Sequence, residues 1–293
     1  MENSRIMMAV ARNRKVRILL ANTTELVEKA RLTHNLYPTS NAALGRVLSV
    51  AALMSAMLKR ADEKILIQIN GSGPIGTIMV EANGDGRLKG FCGDNEIYLK
   101  YNSNNKLAVG LAVGTEGYLK VSRNMGLKNI FTSQVALQTG EIGEDFAYYF
   151  AASEQVPSLV SVGVLVGTEY QTLSSGALII QLLPNHTEED ILYVEALQSK
   201  LKPISSWLNE GLSLEDILYS LFDDAEILEN RDVKFECDCS KERFMEAIMT
   251  LPKNDLAEVL KDEVIEVKCE YCNSIYQITH KEIEEFIKAN VED

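Results

Sequence analysis

The sequence is poor in the residues that most catalytic chemistries use. Its 293 residues include three histidines, one tryptophan, six prolines and five cysteines. His34, His186 and His280 stand in no motif with a nucleophile, and neither GxSxG nor HExxH occurs. Histidine-based catalysis therefore has no visible machinery, and the chain is not expected to be an enzyme. A basic surplus is also missing. Lys+Arg number 29 against 42 Asp+Glu, a net charge of −13, which argues against a general nucleic-acid binder because phosphate neutralisation needs excess Lys and Arg. No apolar run is long enough for a bilayer. The most hydrophobic helical stretch, 42–58, contains Gly45, Arg46, Ser49 and Ser55 and falls short of the roughly 20 mainly apolar residues a span requires. It reads as a buried core helix, and no membrane association is expected. Nor does an apolar segment follow Met1-Glu2-Asn3-Ser4-Arg5, so no export signal is expected and the compartment is taken to be the cytoplasm. With 18 glycines and 6 prolines, collagen-like and low-complexity chains are excluded.

What is present is unevenly arranged. Residues 1–185 carry 18 Lys+Arg and 15 Asp+Glu, a net of +3, whereas 186–293 carry 11 and 27, a net of −16. The acidic part serves solubility in the plainest reading. The opposite signs also permit it to dock on the body and be released.

The hydrophobic pattern is helical over 23–34 and 42–59 and changes period at Lys64. Ile65, Ile67 and Ile69 alternate with polar neighbours, which predicts a strand. Further strands are expected over 77–82, 87–92, 107–113, 118–122 and 134–138. Asn83-Gly84-Asp85-Gly86 is read as a hairpin turn. This is an antiparallel meander rather than a βαβ pattern. A helix over 140–155 and strands over 159–166 and 177–183 complete an α+β body, placed at 1–185. Acidic amphipathic helices over 187–202 and 213–222 define a helical linker, 186–232. Strands at 233–237 and 264–269 and helices at 240–249 and 281–289 belong to a small C-terminal domain, 233–293. Two apolar stripes mark the linker, one through Ile191, Leu192, Val194, Leu197 and Leu201 and one through Leu214, Ile217, Leu218, Leu221 and Phe222, with Trp207 between. Such stripes pack on a core, and if released they expose a large apolar surface.

Chemistry concentrates in the cysteines. Cys237-Asp238-Cys239 and Cys269-Glu270-Tyr271-Cys272 are two close pairs separated by 29 residues. Two such pairs supply the four soft ligands of a tetrahedral Zn²⁺ site, with iron as the competing metal. A cytosolic chain does not normally keep these residues as structural disulfides. One zinc per reduced chain on Cys237, Cys239, Cys269 and Cys272 is the expectation. Lys234, Lys241, Arg243 and Lys268 lie close in sequence and are candidates to offset the thiolate charge. Bound thiolates remain open to oxidants, which would remove the metal from a module with little core of its own. Spacing alone is satisfied equally by such a redox sensor and by a permanent structural zinc module. Cys92 has no sequence partner and reads as a small buried residue.

Two other patterns lose their functional reading in context. Gly71-Ser72-Gly73-Pro74-Ile75-Gly76 fits GxGxxG, but a strand-like segment follows and Pro74 lacks an N–H for phosphate. Glu141, Glu144 and Asp145 fall in the first turns of a helix, where carboxylates complement the dipole.

With these residues in place, the chain closely resembles the bacterial 33-kDa heat-shock chaperone family over essentially its whole length. The resemblance rests on Ala42-Ala43-Leu44-Gly45-Arg46, Gly73-Pro74-Ile75-Gly76, Ser153-Glu154-Gln155-Val156-Pro157-Ser158 and Ile180-Gln181-Leu182-Leu183-Pro184. Above all it rests on Cys237-Asp238-Cys239-Ser240-Lys241-Glu242-Arg243-Phe244 with Cys269-Glu270-Tyr271-Cys272-Asn273. It implies an α+β N-terminal domain, a helical linker and a C-terminal zinc-binding redox-switch domain. It implies an ATP-independent holdase that is inactive while reduced and zinc-bound. Oxidation would form the disulfides Cys237–Cys239 and Cys269–Cys272, unfold switch and linker, favour a homodimer and let the chain hold unfolding client proteins.

Overall fold

The computed structural model describes residues 3–101, 103, 106–126, 130–259, 261 and 263–291. The chain divides into two compact units, Met1–Glu236 and Cys237–Asp293.

In the first unit, β1 (Arg5–Ala11) and β2 (Val16–Asn22) form a hairpin, followed by helices α1 (Thr24–His34) and α2 (Pro38–Ser55). A meander of β3 (Lys64–Asn70), β4 (Thr77–Asn83) and β5 (Arg87–Cys92) comes next. Then come α3 (Val109–Val113), β6 (Tyr118–Asn124), β7 (Phe131–Ala136), α4 (Gly143–Ala152), β8 (Ser158–Val166) and β9 (Thr172–Leu182). The acidic segment supplies α5 (Glu188–Gln198), α6 (Ile204–Asn209), α7 (Leu214–Leu221), β10 (Glu226–Asp232) and β11 (Lys234–Phe235).

Two sheets result, ordered β10-β1-β2-β9-β8 and β11-β5-β4-β3-β6-β7. Every pairing is antiparallel except the short β11–β5 contact. In β3 the expected alternation appears, with Ile65, Ile67 and Ile69 buried and the intervening residues half-buried. Pro38 occupies the first turn of α2, where its missing N–H has no helical partner to lose. This helix is buried on nearly all sides and packs against strands of both sheets, which accounts for its weak amphipathicity. Met54 is fully buried there and Met57 packs at its margin, a core role for both.

The strand expected over 107–113 is instead helical from Val109 to Val113. A short apolar run satisfies either period. What decides it is the Gly71–Gly76 turn: a Cβ on Gly71 would stand 2.1 Å from the Val113 carbonyl oxygen, and one on Gly73 2.2 Å from that of Ala112. The two glycines thus admit the end of α3 against the turn, where Gly73 N–H donates to Val113 O. Asp145 is the third residue of α4, and its carboxylate accepts from the N–H groups of Gln138, Thr139, Gly140 and Ile142. Glu141 pairs with Arg46 and accepts from the Tyr101 hydroxyl. Both are thereby engaged in holding the α4 entry.

The five-stranded sheet is covered on both faces. Ile6, Leu19, Ala21, Ala177 and Ile179 face the main core. Met7, Ile18, Leu20, Leu178 and Ile180 face a second cluster made with Val194, Leu197, Ile204, Trp207, Leu214, Ile217, Leu218 and Leu221. Thus α5–α7 lie on the outer face of the sheet. Gly176 lets α6 approach β9: a Cβ there would meet Leu208 Cδ1 at 2.7 Å and Ala21 O at 2.3 Å. The segment read as a helical linker also ends in strand β10, which pairs with β1 at the sheet edge.

In the second unit, α8 (Lys241–Met249), α9 (Lys253–Val259) and α10 (His280–Val291) accompany a hairpin of β12 (Val264–Lys268) and β13 (Ile275–Thr279). Its buried cluster comprises Met245, Ile248, Ile265, Ile278 and Ile283 among the described residues.

Candidate metal centre

Local sequence places the two cysteine pairs on two chain turns of the second unit. Cys237 and Cys239 lie on the extended segment that leads into α8, whose first N–H groups are capped by Ser240. Cys269 and Cys272 lie in the tight turn that joins β12 to β13. There Cys269 N–H donates to Ser274 O (2.9 Å) and Asn273 N–H to Cys269 O (2.7 Å). Asn273 takes φ +59°, a left-handed conformation that asparagine tolerates better than most residues. The hairpin thus turns both sulfurs toward one point.

All four Sγ atoms lie within 4.8 Å of one another. Cys237 and Cys269 sulfurs are 3.8 Å apart, and those of Cys239 and Cys272 are 3.4 Å apart. Sulfurs bound at about 2.3 Å to a common tetrahedral ion stand about 3.8 Å from each other. The spacing therefore fits a metal ion, and the four cysteines could hold one. His280 opens α10 and is not part of the sulfur group; its Nε2 is buried.

The electrostatics favour a cation at this point. Burial, joined by the neighbouring thiols, pushes the Cys237 thiol up, and burial does the same to Cys269. Burial opposes ionisation of Cys272 too, but hydrogen bonds from Ser274 and the adjacent Cys239 and Cys269 outweigh it and bring that thiol down to about 7. Four sulfurs this close ionise together only if a positive ion offsets them. Three of the four cations near the cysteines in sequence pair with carboxylates. Arg243 binds Asp238 at 2.9 Å, Lys241 pairs with Glu282, and Lys234 pairs with Glu236 at 2.7 Å.

One neighbour escaped the sequence reading. Tyr276, on β13, places its hydroxyl oxygen 3.2 Å from Cys239 Sγ and 3.1 Å from Cys239 O, with its ring against Phe244 at a centroid distance of 5.3 Å. Alternation along β13 marks which face Tyr276 occupies, but only the fold brings that face to Cys239. Cys92 is buried within the first unit, and the hydrogen-bond partners of its Sγ include Asp94 O and Asn95 Oδ1.

The fold and the site together define an α+β protein with antiparallel sheets whose C-terminal unit gathers four cysteines suited to a metal ion. A family model described as Hsp33 protein matches residues 4–279. The chain is 42% identical over 278 residues to the 33 kDa chaperonin of Bacillus licheniformis, covering 94% of this chain and 96% of that one. It is 43% identical over 286 residues to the 33 kDa chaperonin of Thermoanaerobacter pseudethanolicus, covering 97% of each. The crystal structure of the 33 kDa chaperonin from Thermotoga maritima superposes with a TM-score of 0.89 at 33% identity, covering 100% of both chains. The chain belongs to the Hsp33 family. Among the described residues no helix is long and apolar enough to cross a membrane.

Proposed function

We propose that this protein is a redox-regulated, ATP-independent chaperone of the cytoplasm, a holdase that keeps unfolding proteins from aggregating. Family membership supports the chaperone role. The observation that carries the redox reading is the convergence of four cysteine sulfurs within 4.8 Å in a unit with a small buried cluster. Small modules of this kind derive much of their folding free energy from a bound metal, of order 10–16 kcal/mol for structural zinc. Cys237, Cys239, Cys269 and Cys272 would hold one Zn²⁺, which when bound supplies the fold's cross-link and keeps the thiolates ionised. Tetrahedral thiolate coordination suits zinc, and the cytoplasm keeps such thiols reduced.

Oxidation acts on the sulfurs. In this reading Cys237 joins Cys239 and Cys269 joins Cys272, because each partner is separated by the shortest chain closure. Thiolate ligands are consumed, and the second unit loses its cross-link. Residues 186–232 then act as a linker in the functional sense. Helices α5–α7 cover the outer face of the five-stranded sheet, and their release would expose Met7, Ile18, Leu20, Leu178 and Ile180 to clients. Ion pairs hold the cover in place. Arg12 binds Asp190 (2.7 Å) and Glu189 (2.9 Å), and Arg5 binds Glu215 (2.6 Å). These contacts give the +3 and −16 halves of the chain a structural use. An oxidised homodimer is part of the same proposal.

The test follows metal content and aggregation of a heat-unfolding client in one oxidation series. The reduced chain should hold one zinc and leave the client to aggregate. Peroxide with mild heat should release the zinc and confer suppression over the same range. A chain equally inert or equally protective in both states would instead mark the metal centre as permanently structural.

A further inference from the structure

We propose that the outer edge of β8 is a docking site for an extended, uncharged apolar segment of an unfolded polypeptide, which adds to the five-stranded sheet as a further strand while α5–α7 are still in place. The inference takes from the chaperone reading only the source of such a segment; it needs neither a metal nor oxidation. Among the described residues β8 ends its sheet, with β9 as its one neighbour there. The direction of its backbone groups follows from β9. Ser175 N–H donates to Thr24 Oγ1 (3.1 Å) and Ser175 O accepts from Thr23 N–H (2.8 Å), so both groups of Ser175 point away from β8. Val164 stands opposite Ser175, and Val162 and Val160 stand opposite Ala177 and Ile179. Bonded and non-bonded pairs alternate along an antiparallel ladder. Val160, Val162 and Val164 therefore turn their N–H and C=O groups outward, and among the described residues no hydrogen bond reaches those groups.

Both faces of β8 are occupied, and its edge is not. Val160, Val162 and Val164 pack on the main core, on the side of α4. On the opposite face Gly163 admits α6, where a Cβ would meet Ser205 Oγ at 2.5 Å. The strand, Ser-Leu-Val-Ser-Val-Gly-Val-Leu-Val, has neither the charge nor the proline that ordinarily keeps an edge from pairing. Along it runs a trough of about 1230 Å³, lined by the whole of β8, by Glu144 and Ala147 of α4, by Ile191 and Val194 of α5 and by Ser206 of α6. Four cations and three carboxylates share its walls, and Arg46 and Glu141 among them neutralise each other at 2.7 Å, so neither sign of charge is selected. The walls also decide between occupants. Layers on both faces of β8 line the trough, and a second copy would bring its own two layers to the same place. A single extended chain brings none. It gains main-chain hydrogen bonds from the edge and lays alternate side chains against the two walls.

The experiment uses the full chain in its reduced state and a fluorescent peptide that alternates valine with threonine, N-methylated along one edge so that it cannot stack on itself. Anisotropy reads binding, and residue-resolved amide exchange reads its place. The peptide should bind reversibly. With it bound, the amides of Val160, Val162 and Val164 should exchange at least about fivefold more slowly, while those of Leu159, Ser161 and Gly163, already bonded to β9, change less than about twofold. The same peptide N-methylated along both edges keeps every side chain and should bind at least about tenfold more weakly. Val162→Pro removes the central outward N–H and spares the ladder to β9, and it should weaken binding to a similar degree. If that variant does not fold, the two peptides on the unaltered chain still decide the matter. The proposal is overturned if both peptides bind equally, if neither binds the reduced chain, or if binding leaves the alternating protection absent. It is overturned too if the reduced chain pairs with itself through β8, seen as a dimer that Val162→Pro disperses. Peptide binding that persists in a chain without zinc or redox response supports this site and counts against the redox reading alone.

Discussion

Asp190 sits in the first turn of α5, where Thr187 N–H and Oγ donate to one carboxylate oxygen and Arg12 Nε to the other. Those hydrogen bonds, Thr187 first and Arg12 next, hold its carboxyl well below the ordinary value of 3.8. A depressed folded value means that the contribution is complete above the unfolded value and is lost as pH falls through the lower, folded one. Hence α5 should be firmly capped at pH 7 and loosen only in acid below about pH 4. Asp190→Asn should cost about 1 kcal/mol, the usual worth of a cap, and speed amide exchange in α5 at neutral pH while removing its response to acid. Equal exchange in variant and wild type would contradict the assignment. Cys92 presents the opposite case. Burial, with the Asp94 charge second, pushes its thiol up to about 12. At pH 8 it should be the last cysteine alkylated in the native chain and absent from disulfides after oxidation, as peptide mapping would show. Recovery of Cys92 in a dominant disulfide would refute this.

At the scale of elements, legibility followed how local the signal was. The two cysteine pairs are motifs of three and four residues, and the fold brings them together without needing further information. The alternation of β3 and the glycine turn before β5 were legible for the same reason. Strands β1 and β2 carry no comparable period, because both faces of that sheet are buried and the apolar run is nearly continuous. Strand β10, Glu-Ile-Leu-Glu-Asn-Arg-Asp, has the composition of a solvated helix or loop, and only its pairing with β1 makes it a strand. Tyr276 belongs to this group too, since its partner lies 37 residues away. The best test at this scale is α7, whose Ile217 and Leu218 are fully buried against the sheet. Ile217→Asp places a charge inside an apolar cluster, which costs several kcal/mol or detaches the helix. The reduced, zinc-loaded variant should then suppress client aggregation without oxidant, and a variant as inert as the parent in light scattering would dissociate the cover from activity.

At the scale of the whole molecule, the unit whose four cysteines could hold a metal follows the helical cover directly along the chain. Strands β10 and β11 immediately precede Cys237, so the cover has an anchor of its own in both sheets of the first unit. Release of the cover after metal loss is therefore expected to require that this anchor weaken as well. Chelation of the reduced chain should melt the second unit alone first, seen as a partial loss of helical circular dichroism with the first unit's cooperative transition retained. A chain ending at Asp232 lacks β11 and the whole second unit, and it should suppress aggregation without oxidation. The most direct measurement is amide hydrogen exchange across 188–221 in the full-length chain, reduced with zinc and then oxidised. Protection in α5–α7 should be high in the reduced state and fall by at least tenfold after oxidation, while β2 and β9 beneath them stay protected. Unchanged protection in α5–α7 alongside complete zinc release would contradict the coupling of the metal centre to the cover.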